Sequence, residues 1–502
     1  MRRNEPPVPV AGEHDAVRDR FPHDAALSDS QVRRLREACS AVSTDAADRV
    51  GASRDWWPVA LRWARHGEVP ARPDAIATPR SVDEVRAVLK LCDEERIPVT
   101  VAGGRSGVCG GAVPLRGGIA LDMTELSSVV QVDAVSLLAD AAAGTFGADL
   151  EATLRRDHQV TLGHWPQSIA LSTVGGWVAC RAAGQYSTRY GKIEDIVAGL
   201  EVVLAGGDVV RTGSLAGAGP RSATGPDLTE LFLGSEGTLG VVTRARLRVH
   251  PLPTVERRAA WAVGSFEAGI DATRRMLRRG ATPAVLRVYD PEEARRNFDH
   301  EGALLIAVDE GDDTIVRATM GVAAEECSEA KALGAAPADH WFETRNDVSL
   351  LARVLELGVV ADTIEIAAPW ARLPDLYRDA VTGLRALEGT VAASAHESHA
   401  YLDGACLYFT FAGLGANPAD DAWAERYYRA AWDAVMSATL AHRGSISHHH
   451  GIGLLRARYL PEALGRGYDI LRGVKASLDP RGILNPGKLW GEGDSHALRA
   501  VP

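Results

Sequence analysis

Short apolar runs separated by polar, periodic stretches organise the chain from residue 71 onward. Residues 75–79, 98–102, 119–122, 129–132 and 137–143 are apolar runs bounded by Gly, Pro or Asp, the signature of strands. Between the first two, Ser81-Val82-Asp83-Glu84-Val85 opens a helix. Ser81 is placed as N-cap and Glu84 follows three residues later, a capping box. Val85, Val88, Leu89 and Cys92 recur at helical spacing and mark its buried face. A short helix is predicted over 148–155. Residues 199–204 and 208–211 form a hairpin turned by Ala205-Gly206-Gly207. A further strand over 241–249 is ended by Pro251 and Pro253, which predict a domain boundary.

Upstream, the spacing predicts a helix over 28–47 capped by Ser28, after a polar, Pro-rich start expected to be disordered. Trp56 and Trp57 are adjacent and cannot share a helix face, so one indole is expected to pack this leader onto the body. Residues 254–440 alternate helix-like and strand-like runs with few Gly clusters, and 441–490 return to a Gly- and His-rich texture. The predicted organisation is therefore α+β: a leader over 1–70, a ligand-binding domain over 71–253, a second α+β domain over 254–440, a returning segment over 441–490 and a tail over 491–502.

Length and composition sharpen this. With 502 residues the chain exceeds one ordinary core. Hydrophobic residues at 46% and charged residues at 24% are those of a soluble globular protein. The net charge of −11 argues against a nucleic-acid partner. No apolar run approaches the ~18–20 residues that span a bilayer. The six cysteines show no C-x-x-C spacing, which fits free thiols in a reducing compartment, and the N-terminus lacks an apolar signal region; a cytoplasmic protein is expected.

Gly, at 50 residues, exceeds the roughly 7% average and is concentrated in clusters. Ala102-Gly103-Gly104-Arg105-Ser106-Gly107 follows a strand directly, which delivers backbone N–H groups to an anion. Gly163-His164-Trp165-Pro166-Gln167-Ser168 runs into Ser172-Thr173-Val174-Gly175-Gly176-Trp177. Leu233-Gly234-Ser235-Glu236-Gly237-Thr238-Leu239-Gly240 is a third cluster. Small residues let the backbone approach a ligand closely, and hydroxyls bond phosphate or heterocycle edges; a large flat cofactor is expected. There is no G-x-G-x-x-G spacing and no Walker Lys-Ser/Thr, so a nicotinamide cofactor on a doubly wound sheet and an NTPase are both disfavoured. Late in the chain comes His448-His449-His450. Three adjacent histidines cannot all face one site in a regular element, and two are expected to point inward. The alternative is a metal-binding surface tract; the surroundings of 444–453 favour a site, and no metal is expected.

These clusters, in this order, together with Asp479-Pro480-Arg481-Gly482-Ile483-Leu484-Asn485-Pro486-Gly487-Lys488, resemble the vanillyl-alcohol oxidase / p-cresol methylhydroxylase flavoprotein superfamily. Within it the chain is similar, over about 70–490, to the alkyldihydroxyacetone-phosphate synthase (alkylglycerone-phosphate synthase) branch. Gly163-His164-Trp165-Pro166, Ser222-Ala223-Thr224-Gly225-Pro226-Asp227, Ala367-Ala368-Pro369-Trp370, Gly404-Ala405-Cys406-Leu407-Tyr408-Phe409 and Gly444-Ser445-Ile446-Ser447-His448-His449-His450-Gly451 carry that likeness.

The resemblance implies a two-subdomain FAD-binding domain (PCMH type), a cap domain over the substrate face of the flavin, and a homodimer. It implies non-covalent FAD bound by Ala102, Gly103, Gly104, Arg105, Ser106, Gly107, Gln167, Ser168, Ser172, Thr173, Gly175, Gly176, Arg181, and Gly234 with Ser235, Glu236, Gly237, Thr238, Leu239 and Gly240. It also implies exchange of the acyl chain of acyl-dihydroxyacetone phosphate for a fatty alcohol through a flavin N5 adduct, a step of ether-lipid synthesis. Tyr408 matches the acid/base tyrosine, helped by His448, His449 and His450, and Arg287 an arginine near the site. The position of the family's phosphate-binding arginine falls on Leu351; Arg353, or Arg345 further off, is the candidate substitute. The stretch Ala395-His396-Glu397-Ser398-His399 departs from the family and adds two imidazoles. A small-molecule or lipid-precursor substrate is implied, with room for peripheral membrane contact. The rival reading on the same scaffold is an FAD-linked 2-hydroxyacid dehydrogenase or oxidase.

Overall fold

Three sheets frame the molecule in a computed structural model, which describes residues 6–23, 26–347 and 350–489. The first is four-stranded. Its order is Val42–Ser43, Ala75–Ala77, Ile119–Asp122, Val99–Ala102, and the last three strands are mutually parallel. The helix Val82–Glu95 provides the crossover that a parallel pair requires. Ser81 caps it by accepting from the Glu84 N–H; the Glu84 carboxylate instead takes the Arg80 and Ser40 N–H groups, so the box does not close on itself.

The second sheet is antiparallel and five-stranded, in the order Val209–Arg211, Val197–Val203, Val241–Arg248, Leu138–Ala142, Val129–Asp133. The strand Val241–Arg248 alternates buried and part-exposed positions along its length, as its sequence predicts.

The third sheet has seven antiparallel strands: Lys331–Gly334, Val255–Val263, Ala303–Gly311, Val285–Tyr289, Thr390–Ala400, Gly404–Gly413 and Val360–Pro369. Several helices pack against it, among them Phe266–Arg278, Asp313–Glu326, Leu373–Arg385 and Asp421–Ala441. They bury one set of alternate residues, such as Leu286, Val288, Ile364 and Leu407. The opposite set includes Arg287, Tyr289, Thr363, His396 and Tyr408, and these line a cavity.

The end of the chain returns to the first sheet: Leu484 bridges Val99 in parallel, and the Asn485 N–H donates to the Val99 carbonyl. Lys475, buried, donates to the carbonyls of Thr238 and Leu484 and pairs with Asp479, which clamps this segment to the third Gly cluster.

Two expectations for the leader are corrected. The helix predicted over 28–47 stops at Ala38; Asp29–Ala38 is followed by the strand Val42–Ser43 and the helix Ala46–Gly51. Pairing as an edge strand with Ala75–Ala77 overrides the local helical spacing. The region expected to be disordered is packed from its first described residue: Pro6 and Val8 are buried, and Arg54 donates to the Val8 carbonyl. Residues 1–5 of that expectation, and the tail over 491–502, lie outside the described residues. Leader side chains then tie the two ends of the chain together. Buried Arg62 pairs with Asp421 and donates to the carbonyls of Gly358 and Pro418, and Trp63 Nε1 donates to Glu425.

Candidate active site

The cavity has a volume of about 700 Å³. One side is made by the first two Gly clusters. They touch so closely that a Cβ on Gly104 would stand 1.8 Å from the Leu171 carbonyl oxygen, and one on Gly103 2.2 Å from Thr173 Oγ1. Glycine here is a matter of space between two straps, not of φ. Thr173 is the N-cap of the helix Val174–Cys180, its Oγ1 accepting from the Gly176 N–H. Ala102, Gly103, Gly104, Arg105, Ser106 and Gly107 all line the space, as do Gln167, Ser168, Ser172, Thr173, Gly175 and Gly176. Of the third cluster, Ser235, Glu236, Gly237 and Gly240 reach it.

Four residues expected to bind cofactor face elsewhere. Thr238 is fully buried and donates to the Ser235 carbonyl; Leu239 belongs to the core. Gly234 holds φ +77° with its Cα against the Arg181 side chain, and Arg181 pairs with Glu230 and Glu194. They support the loop and do not line the cavity.

The cap sheet and the returning segment form the other side. Tyr408 Oη lies 2.5 Å from His449 Nε2 and 3.4 Å from His450 Nε2. His396 stacks on Tyr408 with ring centroids 4.9 Å apart and 7° between planes, and its Nδ1 donates to Glu293 at 2.7 Å. Glu293 also accepts from Thr410 and pairs with Arg296. Despite burial, its partners His396, Arg296 and Thr410 hold Glu293 down to about 2.

His396 and His399 are three apart on one strand, and alternation would send them to opposite faces. A bulge between Ser398 and Ala400 places the extra residue, His399, at φ +58°, and both rings line the cavity.

Of the three adjacent histidines, none lies in a regular element. His449 and His450 line the cavity, and His448 sits behind them, 8% exposed. Their geometry is set by Glu365, a fully buried carboxylate. It accepts from the His448 N–H (2.5 Å), the His450 N–H (2.8 Å), Ser447 Oγ (3.1 Å) and Arg456 Nη1 (2.7 Å). Burial opposes its ionisation, but the Arg456 guanidinium and these donors hold it below the usual carboxylate range. Burial drives all five imidazoles toward the neutral form, His450 to about 4, and pushes the Tyr408 phenol up. One ring nitrogen each of His399, His448 and His449 lies within 4.8 Å of the others, so the cluster expected to be metal-free has the donor set of a metal site.

Two guanidiniums reach the cavity without a carboxylate partner among the described residues. Arg287 stands over the Trp341 ring at 5.2 Å, with Nε buried and unpartnered. Arg345 donates to Gln185 Oε1 at 3.1 Å and packs between Tyr186, Trp341 and Phe342. Arg353, the other candidate substitute, is exposed on the helix Leu350–Glu356 and does not line the cavity, because that helix presents it to solvent. The side chain of Leu351 lies outside the described residues.

Sequence reasoning missed Glu293, Arg456 and Asp55. Glu293 reads as an ordinary first-turn acid, since Asp290 caps its helix by accepting from the Glu293 N–H. Asp55 comes from the leader. It lines the cavity beside Gly107, its Oδ1 accepts from the Trp57 N–H, and burial raises it to about 7. Trp56 lines the cavity as well, so this pair of indoles does more than pack the leader.

The residues suit a dinucleotide with a flat ring. Closely approaching Gly backbone and the hydroxyls of Ser106 and Ser168 offer donors to a pyrophosphate, while Ser172 spends its proton on the Ser168 carbonyl; Arg105 keeps Nε and Nη2 buried and without a partner among the described residues, although Nη1 pairs with Asp122.

Comparison with known proteins agrees. Residues 73–213 match the family model "FAD binding domain" and residues 252–489 match "FAD linked oxidases, C-terminal domain". The alkyldihydroxyacetonephosphate synthase of Trypanosoma brucei brucei is 30% identical over 484 residues, covering 87% of this chain and 75% of that protein. The glycolate oxidase subunit GlcD of Bacillus subtilis (strain 168) is 28% identical over 438 residues, covering 83% and 89%. A solved structure of alkyldihydroxyacetonephosphate synthase superposes with a TM-score of 0.77 at 25% identity, covering 95% of this chain and 87% of that one. Substrate-bound p-cresol methylhydroxylase shares the fold at 17% identity, with a TM-score of 0.74 over 95% of this chain and 99% of that one. The chain thus belongs to the FAD-linked oxidase family, with the fold of the vanillyl-alcohol oxidase / p-cresol methylhydroxylase flavoproteins, and FAD is its cofactor.

Proposed function

We propose that this flavoenzyme exchanges the acyl chain of an acyl-dihydroxyacetone phosphate for a fatty alcohol, as the relatives' name implies. The observation that carries the reading is the pairing of Tyr408, bonded to His449 at 2.5 Å, with two uncompensated guanidiniums, Arg287 and Arg345, on one cavity. An arginine keeps its charge inside a protein and calls for an anion. The phosphate of the substrate meets that need, and Arg345 takes the place expected of Arg353. FAD, when bound, supplies the electron-poor ring that such a substitution requires. Tyr408 holds and moves the proton at the reacting carbon through His449. The Glu293 carboxylate fixes His396 with its proton on Nδ1, which turns Nε2 toward the cavity.

The second reading, an FAD-linked 2-hydroxyacid dehydrogenase, is favoured by the same arginines acting on a carboxylate and by the likeness to the glycolate oxidase subunit. One experiment separates the two. FAD-loaded protein is incubated with acyl-dihydroxyacetone phosphate and labelled hexadecanol, and in parallel, without oxygen, with D-2-hydroxyacids. Label in an ether product without bleaching supports the exchange; bleaching by a hydroxyacid with no ether product replaces it with the second reading.

A further inference from the structure

The hydrogen bonds behind Tyr408 do not end at His449. His449 Nδ1 lies 2.8 Å from His448 Nδ1, and His448 Nε2 lies 3.0 Å from Tyr401 Oη. Tyr401 Oη is 3.2 Å from Ser187 Oγ, which is 2.8 Å from His399 Nδ1. His399 lines the same cavity as Tyr408. We propose that Tyr408, His449, His448, Tyr401, Ser187 and His399 form one proton relay that leaves the cavity at the phenol and returns to it at the His399 ring.

Each interior imidazole turns one ring nitrogen to either neighbour, and each interior hydroxyl oxygen faces both of its neighbours. A neutral imidazole carries one N–H and one lone pair, and a hydroxyl donates one proton while accepting another. The chain can therefore be satisfied in two ways only. In the first, Tyr408 O–H donates to His449 Nε2, His449 Nδ1–H to His448 Nδ1, and His448 Nε2–H to Tyr401. Tyr401 O–H then donates to Ser187, and Ser187 O–H to His399 Nδ1. Tyr408 then shows the cavity a lone pair, and His399 shows it Nε2–H. In the second, every proton sits on the opposite side of its bond; Tyr408 now turns its O–H toward the cavity and His399 Nε2 is bare.

Passing between the two takes one proton from the cavity at Tyr408 and returns one at His399, or the reverse. Five interior protons each cross one hydrogen bond, no net charge is created, and no water is consumed. A substitution that takes a proton from one atom and must give one to a leaving group needs this operation.

The fold enforces the arrangement at three points. Glu365 fixes the His448 and His450 backbone N–H groups. The bulge turns His399 into the cavity at φ +58°, a backbone conformation that a non-glycine residue rarely holds. Thr188, beside Ser187, takes the Ala400 N–H just after the bulge, at 3.2 Å. Burial keeps His399, His448 and His449 neutral, which the alternation requires. His450, at 3.4 Å from Tyr408, is the weaker alternative partner and lies outside the relay.

The use of the relay rests on the role proposed for Tyr408, but its existence can be measured without any substrate. FAD-loaded protein carrying ¹⁵N-labelled histidine is examined at pH 7 by NMR of the imidazole nitrogens, with rings assigned by single His→Gln variants. The relay requires His448 and His449 to be neutral and in opposite tautomers, with His399 in the tautomer of His448. Tyr401→Phe removes the hydroxyl two bonds away from His399, and is expected to release His399 into a mixture of tautomers while His448 and His449 stay opposed. Ser187→Ala should release it too, and Ser187→Thr should restore the wild-type state. Equal tautomers at His448 and His449, an imidazolium at either, or a His399 indifferent to Tyr401→Phe would each overturn the relay. So would a stoichiometric metal ion on His399, His448 and His449, since a metal-bound nitrogen has no lone pair to pass a proton. A failure of ether synthesis would leave these readouts untouched, so the two proposals fail separately.

Discussion

Replacing Glu365 should destabilise the protein more than replacing Arg456, although the two form one ion pair. Both side chains are fully buried, with Arg456 Nη1 2.7 Å from Glu365 Oε1. At an effective dielectric near 20 such a pair attracts by about 4 kcal/mol, and breaking a buried pair from one side costs about 3–5 kcal/mol. The two sides differ in what is left behind. Without Arg456, Glu365 can take a proton and still accept from Ser447 and from the His448 and His450 N–H groups, so the cost of Arg456→Met is capped near ~3 kcal/mol. Without Glu365, Arg456 cannot neutralise, and three further donors lose a charged acceptor, each such bond being worth about 1.5–3 kcal/mol in isolation. Glu365→Leu should therefore cost ~5 kcal/mol or more.

The double variant should cost less than the sum, because the uncompensated charge is gone; a coupling of about 0.5–3 kcal/mol is expected. For a unit of 150–250 residues, 1 kcal/mol shifts Tm by about 2–4 °C. Thermal unfolding followed by far-UV circular dichroism should thus show Glu365→Leu lowest, the double variant above the sum of the singles, and a gap of ~5 °C between the singles. An Arg456→Met protein less stable than Glu365→Leu, or strict additivity, would mean that Glu365 does not organise the histidine segment.

Other consequences are simpler to state. Tyr408→Phe should retain FAD, read as flavin absorbance per protein, and lose about 10²–10⁴-fold in turnover, the usual contribution of a positioned acid or base. Gly104→Val should yield protein without FAD, because its Cβ meets backbone at Leu171 and nothing flexible can yield; normal flavin content would contradict the strap geometry. Arg345→Met should raise KM for an anionic substrate by about 10–100-fold, the worth of one or two charge-assisted bonds, while Arg353→Met should leave it unchanged. Acid should destabilise the protein. The buried histidines are neutral when folded, whereas the unfolded chain takes up protons below about 6.5, so it binds more protons as pH falls from 6.5 toward the folded value, about 4 for His450. Each such ring removes up to about 1.4 kcal/mol per pH unit over that window. A urea midpoint equal at pH 7 and pH 5 would contradict the burial of these rings as neutral groups.

Much of this was legible in the chain because local rules and tertiary needs agree. The strands and Gly clusters of residues 71–249 were readable because periodicity and turn residues act over a few positions. The cofactor side of the cavity was readable for the same reason: a loop that must let backbone approach a ligand has to be written in Gly, Ser and Thr. The opposite side was less readable. The run His448-His449-His450 stands out in the sequence, but the carboxylate that holds it, Glu365, is 83 residues or more away and looks like any strand glutamate. His399 reaches the cavity only through a bulge, which no pattern over 390–400 announces. The helix expected over 28–47 failed because an edge-strand pairing with Ala75–Ala77, invisible at that range, claims Val42 and Ser43. Arg353 and Arg345 could not be told apart by offset alone; only the folded chain shows that Arg345 lines the cavity while Arg353 is exposed.

The distribution of buried charge bears on the substrate more directly than any motif. Carboxyls in the interior have two ways out, pairing or protonation, and both are used. Glu365, Glu293 and Asp122 have cationic partners, whereas burial raises Asp362 to about 6, Asp55 to about 7, and Glu397 well above its usual range. Lys488, fully buried, is lowered by burial to about 7, where it too can shed its charge. Guanidinium has no such exit, since it stays protonated at any workable pH. Arg456, Arg105 and Arg189 accordingly each face a carboxylate. Arg287 and Arg345 face none among the described residues; aromatic faces of Trp341, Tyr186 and Phe342 hold them in place on the cavity. These two cations, without a carboxylate partner among the described residues, are the ground on which an anionic substrate is proposed. A phosphate, with up to two charges and three free oxygens, satisfies both arginines at once, whereas a lone carboxylate satisfies one bidentately. Removing Arg287 and Arg345 singly therefore discriminates: two comparable losses in binding point to phosphate, and one large loss beside one small one points to a carboxylate.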